Sequence, residues 1–253
     1  MRNHFIISYA GNKKNEFDEL NDFLLDKLDN VDTIIEPYCG TSAISCLLSQ
    51  KYPKRFKYII NDMDDNLIAL YKMMNDECEL IKFTKLFNEK VNIINDKQTY
   101  LEQINDNTLM GWFIKHKIFT LRPGLYPLTR KFKFNYNFDA LPIIRFLRTE
   151  DITIMCSDGL ELFKQYNDNE KCLIIADPPY ILSCNDFYTY KSTNIYEYCA
   201  DNPIKKMKAG IVFILEENWI LRIIFKGCMK QSYDKTYKTK HTKTKHIIIS
   251  NLD

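Results

Sequence analysis

The chain has 253 residues, is 45% hydrophobic and 27% charged, contains only 7 Gly, and carries a formal net charge of +2. That is the composition of a globular protein with a sizeable core, and it excludes long disorder and collagen-like or low-complexity classes. No window approaches ~18 uninterrupted apolar residues, so no membrane span is expected. The start, Met1-Arg2-Asn3-His4-Phe5-Ile6-Ile7, has neither a long apolar core nor a small-residue cleavage site, so no signal peptide is expected. The eight Cys form no Cys-x-x-Cys pair, and Cys39, Cys46, Cys156 and Cys172 lie in or beside apolar runs. They are expected to be buried, reduced thiols, and no metal site is expected. The four His show no nucleophile–base pattern and are expected on the surface.

Short β-branched runs recur along the chain, at Thr33–Ile35, Tyr58–Ile60, Ile152–Met155, Leu173–Ala176, Ile211–Leu215 and Ile247–Ile249. Each reads as a short buried strand. Helical stretches lie between them: Glu16–Leu28, Ser42–Gln50, Asn66–Met74 and Asp158–Tyr166. Such alternation predicts an α/β protein with a largely parallel sheet and helices on both faces. Ligands then sit beyond the carboxyl ends of the strands, where this sequence places Glu36, Asp62 and Asp177.

From about residue 78 to 148 the alternation stops. The stretch begins helical and becomes basic and aromatic, with Pro and Gly marking loops, and it reads as an insertion mounted on the sheet. Residues 111–150 carry a net +6, residues 226–246 another +6, and the remainder −10. Two basic segments on an acidic body suit a localised polyanion contact, although two solvated faces would look the same.

The chemistry is concentrated in Leu173-Ile174-Ile175-Ala176-Asp177-Pro178-Pro179-Tyr180. A buried strand delivers an acid, two prolines and an aromatic. The prolines fix the turn and offer carbonyls without competing N–H groups. An exocyclic amine on a flat ring fits this set: Asp177 and the Pro178 carbonyl each accept one N–H, and Tyr180 stacks on the ring. Two acceptors localise the amine lone pair and stabilise the positive charge that develops as a methyl group arrives. Reaching such a pocket requires the base to leave its stack. A solvent-exposed turn with a helix-capping Asp is the plainer reading of the same residues.

With that motif and four others, the chain resembles the Dam-type (class alpha) adenine-N6 DNA methyltransferases over about residues 5 to 251. Tyr9-Ala10-Gly11-Asn12-Lys13 is similar to the family's N-terminal cofactor motif, which implies Lys13 as the anchor for the methionine carboxylate of S-adenosylmethionine and Tyr9 as its neighbour. Glu36-Pro37-Tyr38-Cys39-Gly40-Thr41-Ser42 resembles the glycine loop, with Tyr38 in place of Phe and Ser42 where a second Gly is usual. Gly40 still permits close backbone approach. Asp62, within Asn61-Asp62-Met63-Asp64, takes the ribose-binding position. Met155-Cys156-Ser157-Asp158-Gly159 resembles the Asp-Phe motif whose Asp meets the cofactor's adenine amine, with Gly159 in place of Phe; a helix N-cap is the competing role for Asp158.

The resemblance implies a Rossmann-like S-adenosylmethionine-dependent methyltransferase fold. Its sheet would be mostly parallel with an antiparallel edge strand, and residues 1–77 and 149–253 would form the catalytic domain. Residues 78–148 would be a small helical and loop target-recognition insertion. The implied activity is site-specific methylation of adenine N6 in double-stranded DNA, inside the cell, in the cytoplasm or the compartment that holds the DNA. Lys117, Arg122, Arg130, Lys131 and Lys133 in the insertion, and Lys240 in the Lys/Thr-rich segment before the last strand, are the candidate DNA contacts. Three alternatives stand beside this reading: an amine methyltransferase acting on RNA, a degenerate fold that only binds nucleic acid, and an unrelated dinucleotide enzyme. The absence of Gly-x-Gly-x-x-Gly speaks against the last.

Overall fold

The computed structural model describes residue 13 and residues 16–118, 136–139, 141–182, 194–237 and 242–253. Seven strands form one sheet among these residues: β1 (Thr33–Glu36), β2 (Lys57–Asp62), β3 (Asp151–Cys156), β4 (Cys172–Ala176), β5 (Gly210–Glu216), β6 (Met229–Tyr237) and β7 (Thr242–Ser250). Their spatial order is β3-β2-β1-β4-β5-β7-β6. The first five are parallel, while β7 is antiparallel to both β5 and β6. A mostly parallel sheet with antiparallel pairing at one edge was the expectation, and the doubly wound, Rossmann-like order follows from it.

Both faces of the sheet are covered, and the apolar runs record this in their alternation. Ile34, Tyr58, Ile60, Leu173, Ile175, Val212, Ile214 and Ile248 point into one core. Their neighbours Ile35, Ile59, Ile174, Phe213, Leu215, Ile247 and Ile249 point into the other. A strand buried on both sides needs an unbroken apolar run, as in the parallel sheets of doubly wound folds. β3 departs from this pattern. It was expected to be buried, but it is an edge strand, and Ile152, Ile154 and Met155 are only half-buried. For the same reason Cys156 is exposed, whereas Cys39, Cys46, Cys172, Cys199 and Cys228 are buried and free.

On the first face lie α1 (Phe17–Leu24), α2 (Ala43–Lys51) and α3 (Asp65–Asn75), followed by α4 (Glu77–Asn92), α5 (Lys97–Ile104), α6 (Leu109–Ile118) and α7 (Pro142–Thr149). α1 stops four residues short of the expected Leu28. Acidic N-caps set several starts: Asp64 for α3, Asp76 for α4, and Asp96 with Thr99 as a capping box for α5. α7 packs on α2 and α3 through Ile143, Ile144, Phe146 and Leu147. Phe138, read from sequence as part of a basic–aromatic insertion, is fully buried between Phe87 and Phe113, at centroid distances of 5.2 and 5.4 Å. Phe138 therefore builds core, with Tyr136 stacked on it at 5.5 Å. The second face carries α8 (Gly159–Tyr166), α9 (Asn194–Asp201) and α10 (Trp219–Ile224).

Candidate active site

The strand order reverses between β1 and β4, which pair directly although β2, β3 and their helices separate them in sequence. At such a switch point the loops beyond the two carboxyl ends diverge and leave a crevice. Pro37 to Ser42 follow β1 and Asp177 to Tyr180 follow β4, so these two segments form its walls.

Asp177 extends from a fully buried strand and pairs with the ammonium of Lys13. The same Nζ donates to the Tyr180 hydroxyl at 3.0 Å and lies 5.4 Å from its ring centroid. The Pro179 carbonyl accepts from the Tyr196 hydroxyl at 3.1 Å, which ties the turn to α9. Burial raises the pKa of Asp177, and Lys13 opposes that rise without cancelling it. The motif is therefore a braced, half-desolvated carboxylate rather than an open, solvent-exposed turn.

Three further side chains meet here that sequence reasoning did not select. Glu16, 3% exposed, lies 3.9 Å from Lys13 Nζ and directly contacts the Nζ of Lys235 on β6. His246 is fully buried on β7, with Nδ1 3.9 Å from Glu16, and its ring meets Tyr180 edge-on at 5.7 Å. It was expected on the surface, but β7 is flanked by β5 and β6, so its inward positions face the core. Burial, with Lys235 and Lys13 nearby, depresses the His246 pKa to about 3. The imidazole is neutral at physiological pH, and its contact with Glu16 is not an ion pair.

On the β1–β2 side, Gly40 adopts φ +47° and donates its N–H to Asp62 Oδ2 at 2.9 Å. Asp64 N–H donates to Asp62 Oδ1 at 3.0 Å. Each carboxylate oxygen keeps a further lone pair, as acceptance of two vicinal hydroxyls requires. Burial raises the Asp62 pKa. Asn61, fully buried, clasps three strand ends: its Nδ2 donates to the Pro37 and Ser157 carbonyls at 2.9 and 3.0 Å, and its Oδ1 accepts from Ser157 N at 2.9 Å. A polar residue in the alternating interior of β2 was the available signal for it. Tyr71 on α3 donates to the Gly40 carbonyl at 2.6 Å and holds the loop from behind.

Glu36 and Asp158 serve the protein's own backbone. Glu36 Oε1 accepts from Ser45 N at 2.9 Å, and burial lifts its pKa to about 7. Asp158 caps α8 through Leu160 N at 2.9 Å, the competing role foreseen for it. Two of the three departures from the family pattern, Tyr38 and Gly159, meet in space. A Cβ on Gly159 would fall 2.5 Å from Tyr38 Cε1 and 2.7 Å from the Pro37 carbonyl. The Tyr38 ring thus occupies the place where a side chain at 159 would begin, and burial, then Asp158, raises its phenol pKa. Ser42 takes the left-handed conformation, φ +49°, at the position where glycine is usual.

Among the DNA candidates, Lys117 belongs to the last turn of α6. Arg122, Arg130, Lys131, Lys133 and Lys240, like the cofactor candidate Tyr9, lie outside the described residues. No group of three or more metal-ligating side chains occurs among the described residues, and no described helix is long and apolar enough to cross a membrane.

Comparison with known proteins adds a family. The D12 class N6 adenine-specific DNA methyltransferase model matches residues 9–138, which include Lys13, the glycine loop and Asp62. The type II methyltransferase M.MjaIII of Methanocaldococcus jannaschii is 25% identical over 232 residues, covering 80% of this chain and 77% of that protein. Among solved structures, the rRNA methyltransferase aviRa from Streptomyces viridochromogenes aligns with TM-score 0.49 and 11% identity, over 99% of this chain and 91% of that one. The N-terminal domain of human METTL16 in complex with SAH aligns with TM-score 0.37 and 12% identity, over 96% and 71%.

Proposed function

The chain belongs to the D12 class N6 adenine-specific DNA methyltransferases, and from that premise we propose that it transfers a methyl group from S-adenosylmethionine to adenine N6 at a specific site in double-stranded DNA, with the target base flipped into the crevice beside Asp177. The observation that carries this reading is the position of Asp177. It stands at the switch point, across the crevice from the glycine loop and in contact with Lys13.

The residues present fit the cofactor. Lys13 offers a buried ammonium for its carboxylate, Asp62 a doubly braced carboxylate for its ribose, and Gly40 a backbone that a ligand can approach closely. When bound, S-adenosylmethionine supplies an electrophilic methyl group. The remaining work falls to this chain. Asp177 accepts one amine N–H and the Pro178 carbonyl the other, which draws the nitrogen lone pair out of the ring. Tyr180, held by Lys13 and His246, provides the face on which the base stacks. The methylated nitrogen carries one proton too many, and Asp177, with its raised pKa, is basic enough to accept it at Oδ.

Asp177→Ala is expected to abolish methyl transfer to duplex oligonucleotides while calorimetry still detects cofactor binding. Wild-type turnover in that variant would show that the catalytic carboxylate lies elsewhere. Incorporation of methyl groups into RNA but not DNA oligonucleotides would overturn the choice of acceptor.

A further inference from the structure

The β6–β7 hairpin carries lysines that suit phosphate contacts, but Lys235 is set apart from them. Along β6, Asp234 is exposed, whereas Tyr233 and Lys235 turn inward, as the two-residue period of a strand dictates. The Lys235 side chain is 12% exposed and reaches Glu16 rather than solvent. Lys245, beside Thr244, which pairs with Lys235, is exposed. Four buried or half-buried groups therefore alternate in sign from the hairpin to the catalytic turn: Lys235, Glu16, Lys13, Asp177. His246 lies alongside in its neutral form and adds no charge. Buried charges persist only when paired, and removing one member leaves its neighbour uncompensated. Two of the four, Lys235 and Glu16, have no part in the chemistry proposed above.

We propose that Lys235 and Glu16 are positioning residues for the amino-acid head group of the cofactor: Lys235 neutralises Glu16, and the neutralised Glu16 leaves the Lys13 ammonium poised between the cofactor carboxylate and Asp177. This rests on the reading that Lys13 anchors that carboxylate. Without Lys235, Glu16 becomes a buried anion whose nearest cation among the described residues is Lys13, 3.9 Å away. It draws that ammonium toward itself and presents a net negative charge to the incoming carboxylate. The hairpin is then part of the cofactor site as well as a neighbour of DNA.

The test is a charge-balance cycle of Lys235→Met, Glu16→Gln and the double variant. Dissociation constants for S-adenosylmethionine are measured by calorimetry, those for a duplex by fluorescence anisotropy, and folding is checked by thermal melts. Lys235→Met is expected to weaken cofactor binding by about tenfold and to change duplex binding by less than about twofold. The double variant, neutral once more, is expected to recover cofactor affinity to within about threefold of wild type. Should Lys235→Met alone unfold, the double variant still decides the matter, because restored melting and restored affinity must come together. Normal cofactor affinity with weakened duplex binding in Lys235→Met would make Lys235 a phosphate contact and end the proposal, as would a folded double variant that fails to recover. Lys13→Met separates the premise from the inference. If it binds cofactor as wild type does, the anchor reading fails. If it is weak while Lys235→Met is normal, only the present inference fails.

Discussion

Glu36 gives the sharpest test of how this site is held. The residue is 4% exposed and its pKa rises from the ordinary 4.5 to about 7, because burial disfavours the charged form more than the Ser45 N–H stabilises it. A carboxyl whose folded pKa lies above its unfolded value binds its proton more tightly in the folded state. Its contribution to stability is full below about pH 4.5 and is lost as pH rises to about 7. Above that, maintaining the charged form costs about 3 kcal/mol. Glu36→Gln keeps an acceptor for Ser45 and removes the charge. The variant is expected to be more stable than wild type at pH 8 by about 3 kcal/mol, a rise in Tm of roughly 6–12 °C for a chain of this size. The gain should shrink steadily toward pH 5. Paired urea titrations across that range measure it directly. A Gln variant that is less stable at pH 8, or a difference that does not vary with pH, would refute the reasoning that burial dominates at this carboxyl.

Three other expectations rest on different contacts. Gly159→Ala would ordinarily gain up to about 1 kcal/mol in a helix, but here the added carbon falls 2.5 Å from the Tyr38 ring and 2.7 Å from a backbone carbonyl. Overpacking of about 1–3 kcal/mol should win, visible as a lower urea midpoint, and a stabilised Ala variant would mean that the loop yields freely. Asn61→Leu strips partners from the Pro37 and Ser157 carbonyls and from Ser157 N–H. Each buried orphan costs about 1–3 kcal/mol, so the variant should lose cofactor affinity and stability together, as calorimetry and thermal melts would show; loss of neither would disprove the clasp. Arg122→Ala and Arg130→Ala should raise the apparent KM for DNA with kcat little changed. A fall in kcat at normal DNA affinity would place these side chains in the chemistry instead.

The parts of this protein that were legible in the sequence are those whose causes are local. Asp177 could be found because a buried strand, two prolines and an aromatic ring together restrict the backbone to one kind of turn. Four of the five parallel strands could be found because burial on both faces demands an unbroken apolar run, and the edge strand β3 because its inward positions carry the β-branched Ile152 and Ile154. β6 has no such run: Met-Lys-Gln-Ser-Tyr-Asp-Lys-Thr-Tyr lies at the sheet edge and needs an apolar face only where it meets α1 and β7. Glu16 and Lys235 were invisible for a stronger reason. Their ion pair joins residues more than two hundred positions apart, and nothing at either position indicates the other. His246 was misjudged although the signal was present. It precedes three isoleucines, and strand alternation with Ile248 places it on an inward face.

Taken one by one in the sequence, Ser42 and Gly159 look like losses, a missing glycine in the cofactor loop and a missing aromatic in the Asp-Phe motif. In the folded chain Gly159 lies beneath the Tyr38 ring, which with the Pro37 carbonyl leaves no room for a side chain there. Ser42 meanwhile adopts the left-handed conformation that a glycine would take, φ +49°. Its carbonyl accepts from Cys46 N at 3.0 Å, and its N–H donates to Cys39 at 2.7 Å. A left-handed non-glycine residue costs on the order of 1–3 kcal/mol and persists only where its surroundings over-determine it. Those two hydrogen bonds, with Tyr71 and Asp62 holding Gly40 from either side, are what over-determine this loop. The backbone path that brings Gly40 to Asp62 is thus kept without the second glycine, and the space that a side chain at 159 would need is filled by the Tyr38 ring.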